Sequence, residues 1–323
     1  MKENFIIESE EAVLQAVKFL KDGKLVSIQA ETVYGLACDP GKNDSIRKVF
    51  NLKKRPKLNP LIIHVNSIKM AEDIALLNDD ARKLMKKFWP GPLTLILPKK
   101  KNSIVKDSAV AGLNTIAVRM PNSKIFIQII NKLKRPLAAP SANESGYISS
   151  TNANHVIDSF GEKIDLVIDS GKAFFGLEST IVDLTQKPYL IKRLGVLDEN
   201  QIFNLSGVKV FFKDSAITNN LKPNSPGQLE KHYSPRTPIK LNVILPKKND
   251  AYLTFGDYTP KKHKNFLNLS NKGNLNEAAH NLFDYLRKLD KMKMKRIAVS
   301  PIPNIGIGKT INERLLRASV KND

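Results

Sequence analysis

Four cations stand within five residues at Lys53-Lys54-Arg55-Pro56-Lys57, and Leu58-Asn59-Pro60-Leu61 follows. The two prolines fix φ and bar a regular helix. A rigid basic loop beside a strand suits a triphosphate, because Arg and Lys neutralise phosphate oxygens with little chain left to order. A solvated turn fits the same residues. A second segment, Ala138-Ala139-Pro140-Ser141-Ala142-Asn143-Glu144-Ser145-Gly146, is built of small residues. Such residues let a ligand approach the backbone, and Ser141 and Asn143 offer neutral donors and acceptors. No histidine or acid stands beside Ser141, which gives a serine nucleophile little support. The third segment is Gln29-Ala30-Glu31-Thr32-Val33-Tyr34-Gly35-Leu36, whose Thr32 and Tyr34 can place hydroxyls over a small-molecule pocket. The second and third segments also read as plain turns.

Other signals fall away. Gly306-Ile307-Gly308-Lys309-Thr310 imitates a phosphate loop, but Pro303 stands where the pattern needs its first glycine. Cys38 is the single cysteine and reads as a small packed residue. The five histidines lack metal-ligand spacing.

These segments need elements to hold them. Ser9 caps a predicted helix that Gly23 ends, with Ala12, Val13, Ala16, Val17 and Leu20 as its apolar stripe. Strand-like runs follow at Leu25–Gln29, Leu61–Val65, Leu93–Leu97, Thr115–Arg119, Leu166–Asp169, Ser179–Leu184 and Tyr189–Arg193. Helical patterns at Ser67–Leu77 and Asp80–Phe88 alternate with them, so an α/β fold with a mixed sheet is expected. Residues 222–238, with four prolines and a glycine, read as a linker or strap. Beyond it, strands at Leu241–Leu245, Ala251–Phe255 and Arg296–Ser300 and helices at Asn274–Lys288 and Asn312–Ser319 make a small second α/β domain.

The chain of 323 residues carries 52 Lys+Arg against 31 Asp+Glu, a formal charge of +21. Such a field attracts polyanions, although lysine-rich solvated surfaces also arise without any partner. No apolar run is long enough to span a membrane, and the N-terminus lacks the order of a secretory signal. One cysteine excludes an internal disulfide. A cytoplasmic protein is expected.

Six segments, in order, resemble the YrdC/Sua5 family of threonylcarbamoyl-AMP synthases. They are Glu31-Thr32-Val33-Tyr34-Gly35-Leu36, Lys53-Lys54-Arg55-Pro56 with Asn59-Pro60-Leu61, Trp89-Pro90-Gly91-Pro92-Leu93-Thr94, Val118-Arg119-Met120-Pro121, Pro140-Ser141-Ala142-Asn143 and Glu178-Ser179-Thr180-Ile181-Val182-Asp183. The strap's Ser225-Pro226-Gly227 and His232-Tyr233-Ser234-Pro235, with residues 304–317, are similar to the longer, two-domain Sua5 form. The resemblance implies a catalytic domain over residues 1–205, a linker or lid over 206–238 and a C-terminal domain over 239–323. It implies a twisted open sheet around a positively charged cavity, followed by a small Rossmann-like domain. The implied reaction condenses L-threonine, bicarbonate or CO2 and ATP to threonylcarbamoyl-AMP with release of pyrophosphate. A partner transferase then modifies adenosine 37 of tRNAs reading ANN codons to t6A.

By the same resemblance, Lys53, Arg55, Ser141 and Asn143 are catalytic. Arg55, Asn59, Thr115, Ser141, Ser149, Arg193 and Tyr233 face ATP, Tyr233 as part of a lid that excludes water. Thr32, His64, Arg119, Ala139 and Ser179 surround threonine. Mg2+ is expected on ATP rather than on protein side chains. Lys53 and Arg55 are expected to be solvated without ligand, and tRNA is a further candidate partner. The rival from another class is a non-enzymatic tRNA- or dsRNA-binding protein, against which the 7% aromatic content speaks. A hydrogenase-maturation carbamoyl-transfer domain would need cysteine-rich zinc fingers, which one cysteine excludes.

Overall fold

Most of the described α-helices start where a side chain can take up a free N–H. Ser9 accepts from the amide of Ala12 at 3.1 Å, Asn78 from that of Ala81 at 2.8 Å, and Asp198 forms a capping box with Gln201. The computed structural model describes residues 4–212, 232–258 and 264–320. Ser225-Pro226-Gly227 of the strap lies outside the described residues. The strands of the first part are β1 (Phe5–Ile7), β2 (Val26–Gln29), β3 (Tyr34–Ala37), β4 (Ile62–His64), β5 (Leu93–Pro98), β6 (Thr115–Arg119), β7 (Leu137–Ala138), β8 (Leu166–Asp169), β9 (Thr180–Asp183), β10 (Leu190–Arg193) and β11 (Phe211–Phe212). Its helices are α1 (Glu10–Lys21), α2 (Asn43–Lys53), α3 (Ile68–Ile74), α4 (Asp79–Phe88), α5 (Lys124–Leu133), α6 (Ala153–Phe160) and α7 (Glu199–Ser206).

One sheet runs β1-β8-β2-β3 and a second runs β11-β10-β9-β5-β6-β4-β7. Both mix parallel and antiparallel pairs, as expected. The two edges β3 and β7 are seamed together. Cys38 and Ala138 exchange backbone bonds at 2.9 and 3.0 Å, Leu36 donates to Pro140 at 2.7 Å, and Ala142 donates to Tyr34 at 2.8 Å. The seam therefore lays the Ser141 segment directly against the strand that follows Thr32. Helices α1 and α5 pack on one another and cover the first sheet through Val13, Leu20, Phe126 and Ile129.

Past the strap come β12 (Ile239–Lys240), β13 (Asp250–Thr254), β14 (Phe266–Asn268), α8 (Leu275–Lys291), β15 (Arg296–Val299) and α9 (Ile307–Ser319). Their sheet, β12-β15-β13-β14, is parallel throughout, the pattern of a small Rossmann-like domain. Leu241–Leu245 is not the expected strand. Asn242 adopts φ 56°, which ends β12, and Ile244 and Leu245 stand exposed. Helix α9 begins five residues before the predicted Asn312, at the Gly-rich stretch. A Cβ on Gly308 would lie 2.1 Å from the Pro303 carbonyl oxygen, so this glycine serves close packing.

The two parts share a core. Val33, Ile148 and Leu177 of the first pack with Tyr233, Leu282, Phe283 and Leu286. Burying an aliphatic or aromatic side chain is worth roughly 1.5–3 kcal/mol, so several such contacts suffice to dock α8.

Candidate active site

Helix α2 stops because Lys54 takes the left-handed conformation, φ 51°. The chain then turns into Arg55-Pro56. Lys53 is thus the last residue of a helix, and only Lys54 onward forms the basic loop. Lys53 is also buried, at 1% exposure, where a solvated side chain was expected. Its Nζ donates to the carbonyl oxygens of Ser141 at 2.6 Å and Asn143 at 2.5 Å. The reason is geometric: the helix end abuts the 141–145 segment, whose Ser145 amide returns a bond to the Lys53 carbonyl at 2.8 Å. Burial, and then Arg55 nearby, hold the Lys53 amine well below its ordinary pKa.

Arg55 is likewise buried rather than solvated. Its Nε and Nη2 bond the Asn59 carbonyl at 3.1 Å, the Asn59 side-chain oxygen at 2.6 Å and the Pro60 carbonyl at 2.8 Å. Asn59 therefore acts as a brace for Arg55. Its Nδ2 is buried without a partner among the described residues.

Arg119, at the end of β6, donates from Nε to the Gly91 carbonyl at 3.1 Å and from Nη1 to the Thr32 hydroxyl at 3.0 Å. Its Nη2 lies 2.6 Å from Glu31 Oε1, both side chains being buried. Among the described residues neither that nitrogen nor the carboxylate has an aligned hydrogen bond, so the contact is a charge pairing. The Trp89-Pro90-Gly91 turn explains itself here. Trp89 Nε1 bonds the Leu93 carbonyl at 2.7 Å, a Cβ on Gly91 would lie 2.4 Å from the Phe88 carbonyl oxygen, and the Gly91 carbonyl is left for Arg119.

Ser179 is pinned from two sides. Thr94 Oγ1 lies 2.7 Å from its hydroxyl, and Arg193 Nη2 bonds the same hydroxyl at 3.0 Å and its carbonyl at 2.9 Å. Burial lowers the Arg193 pKa, and Tyr233 and Glu178 oppose that shift.

These side chains converge on a pocket with about 610 Å³ of empty space, its mouth included. Thr32, Arg55, His64, Arg119, Ala139, Ser141, Ser179 and Arg193 line it, with Glu178 and His232. Burial, then Arg119, lowers the His64 pKa to about 3, so its ring is neutral at pH 7. Lys53, Asn59, Asn143, Ser149 and Tyr233 stand behind this lining. Asn143 spends Nδ2 on the carbonyls of Glu144 at 2.7 Å and Tyr147 at 2.9 Å. Ser149 donates to Glu178 Oε1 at 2.6 Å. Thr115 lies at the far end of β6 from Arg119, paired with Pro98 and roughly 13 Å along the strand.

The strap meets the pocket through His232. Tyr233, with φ 63°, turns away into the shared core. Its ring stacks on Phe283 at 5.3 Å, and the Arg314 guanidinium lies 4.8 Å from its centre. Burial pushes the phenol up to about 12, Arg314 partly offsetting this. Glu31, Glu178, His232 and Arg314 carried no assigned role in the sequence. Glu31 and Glu178 do open two of the quoted motifs, and His232 precedes the predicted Tyr233.

The fold and the pocket define a two-domain α/β enzyme in which the second domain braces the wall of the first domain's pocket. A family model described as "Telomere recombination" (Sua5/YciO/YrdC) matches residues 18–195, and one described as "Threonylcarbamoyl-AMP synthase, C-terminal domain" matches residues 198–320. The threonylcarbamoyl-AMP synthase of Pyrococcus abyssi (strain GE5 / Orsay) is 34% identical, with 94% of this chain and 93% of that protein covered. That of Bacillus subtilis (strain 168) is 31% identical over 95% of this chain and 92% of its own. The crystal structure of P. abyssi Sua5 complexed with L-threonine matches with a TM-score of 0.88 at 33% identity, covering 98% of this chain and 96% of that one. The chain belongs to the threonylcarbamoyl-AMP synthase family, in its two-domain Sua5 form.

Proposed function

We propose that this chain condenses L-threonine, bicarbonate or CO2 and MgATP into L-threonylcarbamoyl adenylate and pyrophosphate. The product feeds a partner transferase that makes t6A at position 37 of tRNAs reading ANN codons. The observation that carries the reading is the convergence of Arg55, Arg119 and Arg193 with the hydroxyls of Thr32, Ser141 and Ser179 on one pocket. The similar P. abyssi structure holds L-threonine, and the same amino acid is assigned here to the end around Thr32, His64, Arg119, Ala139 and Ser179.

The threonine amine loses a proton and bonds to the carbon of CO2, giving a carbamate. A carbamate oxygen attacks the α-phosphorus of ATP, the bond to the bridging oxygen breaks, and pyrophosphate leaves with that electron pair. In-line transfer of this kind needs positioning and neutralised charge more than covalent help. Arg55 is prepared for that work because Asn59 and Pro60 hold its guanidinium. Lys53 shapes the Ser141 segment by bonding the carbonyls of Ser141 and Asn143. Mg2+ arrives on the nucleotide and neutralises its phosphates when bound. The reading places the chain in the cytoplasm, where ATP, threonine and tRNA meet.

The test is pyrophosphate release by the pure protein with ATP and Mg2+, scored for dependence on threonine and on bicarbonate. Release that requires both supports the reading, and no release sinks it.

A further inference from the structure

Arg314 of the C-terminal domain reaches Glu178, a residue of the pocket lining, from behind. It projects from α9 and is 1% exposed. Its Nε donates to Glu178 Oε2 at 3.1 Å, its Nη2 donates to the Leu194 carbonyl at 2.6 Å, and its Nη1 contacts Glu313. One turn earlier on the same face, Thr310 Oγ1 donates to the Gly195 carbonyl at 2.8 Å. Helix α9 thus grips the turn that leaves Arg193.

The contact extends beyond that turn. Glu178 uses its other oxygen to accept from Ser149, at 2.6 Å. The opposite side of the guanidinium environment is the Tyr233 ring, 4.8 Å away, which Phe283 of α8 backs from the far face. Tyr233 in turn fixes His232, which lines the pocket. One buried cation therefore touches the supports of Ser149, Arg193 and the 232–233 segment, the three places assigned above to the nucleotide. The threonine-end residues Thr32, His64, Arg119 and Ser179 make no hydrogen bond or ion pair with it among the described residues, and Ser179 is linked to it only at one remove, through Arg193. Burial opposes the Arg314 charge, but Tyr233, Glu313 and Glu178 together hold its pKa above the ordinary arginine value.

We infer that Arg314 is a positioning residue for the nucleotide half of the site, and that seating Tyr233 and orienting Glu178 is the C-terminal domain's part in the reaction. This rests on the adenylate-forming reading. Arg314→Lys keeps the charge but loses the fork that reaches Glu178 and Leu194 together. Arg314→Gln keeps two donors and loses the charge. In each variant that retains the wild-type circular dichroism, the KM for ATP should rise at least tenfold, with Lys closer to wild type than Gln. The KM for threonine should stay within twofold. Equal rises in both constants, or none, would overturn the inference. A second measurement needs no variant. In the wild-type protein, α,β-methylene ATP should slow amide exchange at 193–195, 232–234 and along α9, and threonine alone should not. No change along α9 with the nucleotide would reject the proposal. Wild-type protein that releases no pyrophosphate would instead reject the reaction, a separate result.

Discussion

The Nζ of Lys53 lies 2.6 Å from the carbonyl oxygen of Ser141, inside the protein. The end of helix α2 and the serine segment are thus tied before any ligand arrives. Lys53→Ala should therefore cost stability as well as activity. It removes a buried side chain, strips the Asn143 carbonyl of its bond and leaves the Ser141 carbonyl only the Asn143 amide at 3.1 Å, and a desolvated acceptor left unmade costs about 1–3 kcal/mol. A loss of about 2–4 kcal/mol in urea denaturation is expected, with pyrophosphate release abolished. An unchanged denaturation midpoint would show that the amine is dispensable to the fold.

Arg55→Lys tests the neighbouring cation without removing its charge. An ammonium cannot reproduce the fork that binds Asn59 and Pro60, so its position is lost. Affinity for ATP should fall at least tenfold, about 1.4 kcal/mol, and the melting temperature should also drop, because the buried Asn59 and Pro60 acceptors lose bonds. Titration calorimetry reads this directly, and wild-type affinity in the Lys variant would show that charge alone suffices there.

Much of the sheet was legible because strand-favouring runs such as Thr115–Arg119 and Leu166–Asp169 match their strands to the residue. Helix α2 was hidden, because its polar composition and the prolines after it drew attention to the loop. The short β3 and β7 escaped notice because small residues such as Gly35 and Ala138 carry little strand signal. The site was legible where a motif presents a charged side chain. Arg55, Arg119 and Arg193 all reach the pocket. What no single segment can announce is a pair across domains, such as Glu178 with Arg314, since it forms only when α9 docks. Lys53 misled for a related reason: a lysine in a basic run reads as solvated until the partner carbonyls are known.

Three histidines set an acid dependence of stability. Burial holds His64, His155 and His232 below the ordinary histidine value, with Arg119 adding to the effect at His64 and Asp284 opposing it at His155. Unfolded, these rings protonate near pH 6.5. Below that value the unfolded chain binds more protons, so stability rises with pH. It should be fully present above about pH 7 and be lost as pH falls from 6.5 toward the folded values. Each ring contributes about 1.4 kcal/mol per pH unit once its unfolded form is charged. The urea midpoint should drop between pH 7.5 and 5.5, and His64→Gln should flatten the slope by about one proton. A midpoint independent of pH over that range would contradict the assignment.

Gly176 sets how closely the domains approach. Its φ is 71°, and a Cβ there would lie 2.6 Å from the His280 carbonyl oxygen and 2.9 Å from that of Ala279, both backbone atoms of α8. Backbone cannot swing aside as a flexible side chain can. Gly176→Ala should push α8 away, destabilise the protein by at least about 1 kcal/mol and weaken ATP binding. A variant with wild-type stability would show that the interface tolerates a shift.

Deleting residues 222–323 separates the two halves of the site. Lys53, Arg55, Arg119 and Ser141 stay on elements of the first domain, and so do Thr32, His64 and Ser179. Threonine affinity should therefore survive within a few fold. The nucleotide half loses more. Tyr233 and His232 go, Glu178 is left without Arg314, and Val33, Ile148 and Leu177 lose the core they share with α8. Opened to water and no longer held by Arg314, Glu178 loses its fixed orientation, so the pocket wall around Ser149 should relax. The truncated protein should bind threonine yet neither bind ATP measurably nor release pyrophosphate. Fully active truncated protein would reject any part for the second domain. Loss of threonine binding together with ATP would mean that the second domain supports the whole pocket rather than its nucleotide end.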